Sequence, residues 1–163
     1  MKTLLIVYHT QTGGTLQMAQ AAAAGARTEA GVRVSLLHAA AAQTADVLNA
    51  DGYIFATPEN LAAISGQMKD FFDRTYYGAL ERIEGRPYAA LVCAGSDGRN
   101  AVQQMERIAT GWRLKQIAEA LIVCTHAQTP EQILAPKQIL QGQLKRCEEL
   151  GATLGSGIAA GIF

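Results

Sequence analysis

Residues 9–15 read HTQTGGT, between an apolar run and an alanine-rich segment. A strand that leaves through this stretch into a helix can bind an anion. Gly13 and Gly14 let the backbone bend and approach a ligand closely. The helix N-terminus that follows presents unpaired N–H groups and the positive end of its dipole. Thr10, Thr12 and Thr15 add hydroxyl donors, and Gln11 adds an amide. The loop contains neither Lys nor Arg, so a phosphate there would be held by neutral donors alone, in a backbone nest. The same residues also suit a plain turn, with Thr15 as the N-cap.

Two further loops carry polar and glycine residues at the ends of apolar runs: TPENLAAISGQ from position 57 and GSDGRN from position 95. Other phosphate chemistries do not fit. No Lys follows the adjacent glycines, as a P-loop would require. There is no G-x-G-x-x-G, and the second apolar run ends in Leu37-His38 rather than an acid, against a dinucleotide fold. A phospho-acceptor receiver carries acids after its first strand and an Asp ending its third. His9-Thr10 and Ala56-Thr57 stand in those places.

The elements that must position these loops follow from periodicity. Apolar runs at 3–8, 32–37, 52–56, 88–94 and 118–125 read as strands covered on both faces. Helices are expected at 15–30 and, briefly, at 45–50. Further helices carry Met68, Phe71, Phe72 and Thr75, then Val102, Met105, Ala109 and Trp112, and last a stripe of Leu140, Leu144, Cys147, Leu150 and Leu154. The order βαβαβαβαβα predicts an α/β fold, a doubly wound five-stranded parallel sheet with helices on both faces. Ligands then bind beyond the carboxyl ends of the strands, where the three loops lie. The whole chain, 1–163, reads as one domain, with 157–163 a loose C-terminal tail or a docking segment.

The segment from Thr10 to Thr15 resembles the FMN phosphate loop of flavodoxin-like proteins. ATPENLAAISGQMKDFFDRT at 56–75 is similar to the strand-3 loop and helix of flavodoxin-fold NAD(P)H reductases. These include the quinone reductases related to the tryptophan-repressor-binding protein. The resemblance covers the element order of the whole chain and implies strand order 2-1-3-4-5, bound FMN, and Thr10, Gln11, Thr12, Gly13, Gly14 and Thr15 around the phosphate. It puts Thr57, Pro58, Glu59, Asn60 and Leu61 beside the isoalloxazine, with backbone N–H groups reaching N5 or O4. Gly95, Ser96, Asp97, Gly98 and Asn100 would line the pyrimidine edge and the ribityl chain. The function implied is an NAD(P)H-dependent flavin or quinone reductase, with hydride transfer to flavin N5. A flavodoxin-type electron carrier and an FMN-binding regulatory module are the alternatives.

Carriers usually sandwich the ring between aromatics and are acidic, whereas neither ring loop here has an aromatic and the net charge is +0. No side chain is required as acid, base or nucleophile, so no catalytic residue is assigned. Arg99 is expected to grip a nucleotide phosphate or stay a solvated charge. His9 could stay neutral beside the anion or stabilise it when charged. His126 reads mainly as a surface group, and His38 carries no role. Tyr76, Tyr77 and Trp112 could pack within the monomer or against a second subunit, and a homodimer is expected. The expected partners are a small electron acceptor, flavin or quinone, or a redox protein.

With 163 residues, 49% hydrophobic and 17% charged, the chain suits one globular core. Equal numbers of cationic and anionic residues, 14 each, leave no basic footprint for nucleic acid and no polybasic segment for a membrane surface. No apolar run approaches a membrane span. The first residues read as a strand rather than a secretory leader. Cys93, Cys124 and Cys147 sit in apolar contexts, so a cytoplasmic setting with reduced thiols is expected. No metal site is expected.

Overall fold

The structure is a computed structural model that describes residues 1–163. Four strands form the body of a parallel sheet: β1 (Lys2–Tyr8), β2 (Val32–His38), β3 (Gly52–Asn60) and, after a short β4 (Ala63–Ile64), β5 (Pro87–Ala94). Their order is β2-β1-β3-β5, and the position beyond β5 is shared by β6 (Lys115–Gln116) and β7 (Leu121–Cys124). This is the expected 2-1-3-4-5 arrangement, with the fifth strand in two pieces. The run read as one strand at 118–125 pairs only from Leu121, while Lys115 and Gln116 pair earlier. Ala118, Glu119 and Ala120 between them are poor strand formers, and a short, interrupted edge resists pairing with other chains.

Helices cover both faces. α1 (Gly14–Ala26) and α6 (Gln141–Ala160) pack on Leu4, Ile6, Ile54 and Leu91. α2 (Thr44–Asn49), α3 (Gly66–Ala79) and α4 (Arg99–Gly111) pack on Leu5, Val7, Tyr53 and Phe55. Successive strand residues face opposite cores, which is why β1 and β5 read as unbroken apolar runs. Met68, Phe71 and Phe72 are core, as their spacing predicts, with Phe55 and Phe72 ring centroids 5.2 Å apart. Tyr76 stacks on Trp112 at 5.5 Å, and Trp112 Nε1 donates to Tyr76 O, so this pair packs within the monomer. Tyr77 is exposed.

Several boundaries differ from the sequence reading. α1 ends at Ala26, not at 30, because Thr28 Oγ1 turns back to donate to Gly25 O at 2.7 Å and the chain must enter β2. β3 does not stop at 56. It runs through T-P-E-N and returns as β4, with Asn60 opposite Ala63. Pro58 is tolerated there because β1, whose last partner is Ala56, has already ended on the side where its N–H would point. Leu140 is an exposed N-cap. The buried stripe of α6 is Cys147, Gly151, Leu154, Gly155 and Ile158, because the glycines face α1 at very close range. Residues 157–160 are the last turn of α6 rather than a loose tail, and Phe163 folds back onto Gly157.

The three cysteines are free. Burial pushes the thiols of Cys93 and Cys147 up to about 11, so they behave as small core residues. No helix is long and apolar enough to cross a membrane.

Candidate flavin-phosphate site

Of the helices that begin at the carboxyl end of the sheet, α1 and α4 start from a left-handed glycine. Gly13 caps α1 at φ 94° and Gly98 caps α4 at φ 87°, neither with a side-chain cap. The two ends then differ. At α4 the Glu59 carboxylate accepts from Gly98 N at 2.9 Å and from Ala101 N at 3.3 Å, so a fixed anion already sits on that dipole. At α1 the first helical bond is Gln17 N to Gly13 O, and the N–H groups of Gly14, Thr15 and Leu16 before it have no acceptor in the protein. No acidic residue stands in that first turn.

The side chains repeat the asymmetry. Thr15 is not the N-cap. Its Oγ1 is buried, borders the cleft and has no hydrogen-bond partner. An orphaned hydroxyl in the first turn of an uncapped helix marks where an anion belongs. Thr10 Oγ1 accepts from Gly13 N at 3.0 Å, which shapes the turn and leaves the hydroxyl proton free. Gly14 is packed so tightly that a Cβ would stand 2.7 Å from Cys93 Sγ. The residues present therefore fit a phosphate monoester such as that of FMN.

The cleft runs from this loop to the ends of β3 and β5. Thr10, Gln11, Thr12, Gly14 and Thr15 form one wall, and Pro58, Glu59, Asn60 and Gly95 continue it. The other expected residues lie outside. Gly13 forms the turn behind the wall. Thr57 is fully buried, and its Oγ1 accepts from Ser65 N at 3.1 Å, so it fastens the β3–β4 hairpin to the start of α3. Leu61 stands fully exposed at the hairpin tip. It and Ala62 have φ of 50° and 61°, a left-handed pair that costs non-glycine residues about 1–2 kcal/mol each. The tip is held from α4: Asn100 Nδ2 donates to Ala62 O, and Gln104 Oε1 accepts from Ile64 N at 2.9 Å. Asn100 is thus a brace for the hairpin rather than a lining donor. Ser96 and Asp97 lie beyond the rim, and Gly98 serves the Glu59 cap. Arg99 pairs with Asp97 at 2.6 Å on the surface.

His126 is exposed, with φ 59° and its N–H donated to Gly95 O. His38 Nδ1 accepts from Ala40 N. His9 is buried with Nδ1 unpartnered, its ring 5.5 Å from that of His38. Burial, then the charge of His38, lowers the His9 pKa below 6.5, so His9 is neutral near pH 7. A depressed histidine pKa means that the unfolded chain binds the proton more readily. Stability is therefore full above about pH 6.5 and falls as the pH drops below it. Urea midpoints at pH 7.5 and 5.5 should show this fall in the wild type and a smaller one in His9→Leu.

The opposite wall was not anticipated. After β7 the chain crosses back over the strand ends as a strap, residues 125–139, and contributes Thr125, Ala127, Ile133, Leu134 and Lys137 to the cleft. The strap contains α5 (Pro130–Leu134), with Thr129 and Gln132 in a capping box. That T-P-E-Q signature and the long gap between the last strand and the last helix were the available signals. The expectation of neutral donors alone is corrected here, because Lys137 brings a cation to the cleft.

The family model for NADPH-dependent FMN reductase matches residues 38–128. The chain belongs to that family. It is 38% identical over 98 residues to a flavodoxin from Aquifex aeolicus, covering 60% of this chain and 53% of that one. It is 36% identical over 95 residues to an NAD(P)H dehydrogenase (quinone) from Acidithiobacillus ferrooxidans, covering 46% and 48%. The chain spans about half the length of these curated relatives. An archaeal flavodoxin superposes with a TM-score of 0.78 at 16% identity, covering 96% of this chain and 98% of that one. That likeness shows the flavodoxin-like fold of this member of the FMN reductase family.

Proposed function

We propose that this chain is an FMN-dependent oxidoreductase that takes electrons from NAD(P)H and delivers them to a small acceptor, a flavin or a quinone. FMN, when bound, supplies the hydride-accepting and electron-donating chemistry. The chain's own residues bind and orient it. The threonine loop and the start of α1 hold the phosphate, while Pro58, Asn60 and Gly95 border the ring. The hairpin backbone is fixed in one conformation by Asn100 and Gln104. Glu59 keeps a carboxylate near the ring edge, which opposes added negative charge and favours electron release.

The observation that carries the reading is the composition of the cleft, which has aliphatic and polar walls and no aromatic side chain. A ring bound there keeps one face open for a nicotinamide and then for the acceptor. The near-zero net charge supports a small acceptor over an electrostatically steered protein partner. The second reading, an electron carrier, is favoured by the Aquifex flavodoxin relative. The test is anaerobic: NADPH or NADH is added to the FMN-loaded protein and the visible flavin band is followed. Rapid bleaching is expected of the reductase. Tight FMN binding, no bleaching by either nucleotide and reduction by a separate reductase would make it a carrier.

A further inference from the structure

We propose that Lys137 is the counter-charge for the cofactor phosphate, carried by the strap to a loop that has no cation of its own. The inference rests on FMN as the ligand of the cleft. Lys137 is the only basic residue around the cleft, and Glu59 is the only acidic one. Glu59 hydrogen-bonds the start of α4 and forms no ion pair with the lysine.

The lysine backbone is bolted to the phosphate loop. Lys137 N donates to Thr12 O at 2.8 Å. Gln17, on the first turns of α1, donates from Nε2 to Gly13 O at 3.0 Å and to Lys137 O at 2.8 Å, and its Oε1 accepts from Ile139 N at 3.0 Å. One amide thus ties loop, helix and strap together. Lys137 Cβ lies 3.4 Å from the place a Cβ on Gly14 would occupy, beside the unpaired N–H groups.

The ammonium donates to Gln132 O, Ile133 O and Ala135 O at 2.7, 2.9 and 2.6 Å. These acceptors are neutral, and no carboxylate pairs with Lys137. All three ammonium N–H groups are taken by strap carbonyls, so Lys137 acts on an anion in the cleft through its uncancelled charge rather than by a direct hydrogen bond. The Cys93 thiol, on the cleft floor, already feels it: the lysine works against burial to lower that pKa.

The test measures FMN and riboflavin affinity by flavin fluorescence quenching in wild type, Lys137→Met and Lys137→Arg, at low and high salt. Riboflavin has the ring without the phosphate. Lys137→Met should weaken FMN binding by about fivefold, the size of a partly solvated charge–charge attraction without a direct hydrogen bond, and leave riboflavin within about twofold. Lys137→Arg should retain most of the FMN preference. Wild-type FMN affinity should fall with salt, and the Met variant should show a flatter response. Unchanged FMN affinity in Lys137→Met overturns the proposal. Equal losses for FMN and riboflavin overturn it too, since they mean that the lysine only holds the strap. Wild-type protein that binds riboflavin as tightly as FMN, or binds neither, overturns the flavin-phosphate reading itself.

Discussion

Gly151→Ala is expected to destabilise the protein by about 3 kcal/mol or more, although Ala is the better helix former by about 1 kcal/mol. Gly151 lies inside α6, where a Cβ would overlap the backbone of Ala22 in α1. At Gly25 of α1 a Cβ would likewise overlap the backbone of Glu148 in α6. The two helices cross at these points with backbone against backbone. Neither carbonyl can move aside, because each belongs to a helix packed on the sheet. The clash therefore outweighs propensity. Gly142 supplies the control on the same helix. Nothing lies within 4 Å of a Cβ there, so Gly142→Ala should be neutral or mildly stabilising. Urea unfolding checks both, with the midpoint of Gly151→Ala well below wild type. A Gly151→Ala protein as stable as wild type would mean that the helices part at little cost.

Thr15→Val should change stability and ligand affinity in opposite directions. The hydroxyl is buried without a partner, a state that costs about 1–3 kcal/mol. Valine has nearly the same shape and leaves no polar atom unsatisfied, so the ligand-free protein should gain about 1 kcal/mol. In the proposed phosphate site the same change removes a hydroxyl donor, and FMN affinity should fall by about tenfold or more. Thermal unfolding of the ligand-free protein and fluorescence titration with FMN measure the two effects separately. A loss in both would assign Thr15 a packing role. Unchanged FMN affinity would remove it from the phosphate site. The orphaned hydroxyl is a local inconsistency of the kind functional sites retain.

The sequence by itself determined the parallel sheet and the glycine-bearing loop at its first strand-to-helix junction, while the strand order followed from the resemblance. The sheet and the loop depend on local signals: apolar runs of strand length, helical periodicity between them, and Gly13-Gly14 at a strand-to-helix junction. It also marked the segment 56–75 that makes the resemblance to flavin reductases sharp. Tertiary structure alone decided which polar groups find partners. Thr15 reads equally well as a cap or as a ligand until its hydroxyl is seen to lack an acceptor. Asn100 reads as a ring neighbour until it is found bracing the hairpin, and Glu59, in the cleft wall, is found to cap α4 as well. Lys137 lies more than a hundred residues from the loop it serves, beyond any periodicity or spacing rule. It arrives there because the last crossover must return over the strand ends to reach α1. The glycine crossing of α1 and α6 has the same origin: small residues show that close approach is allowed, and only the packed sheet beneath them makes it happen.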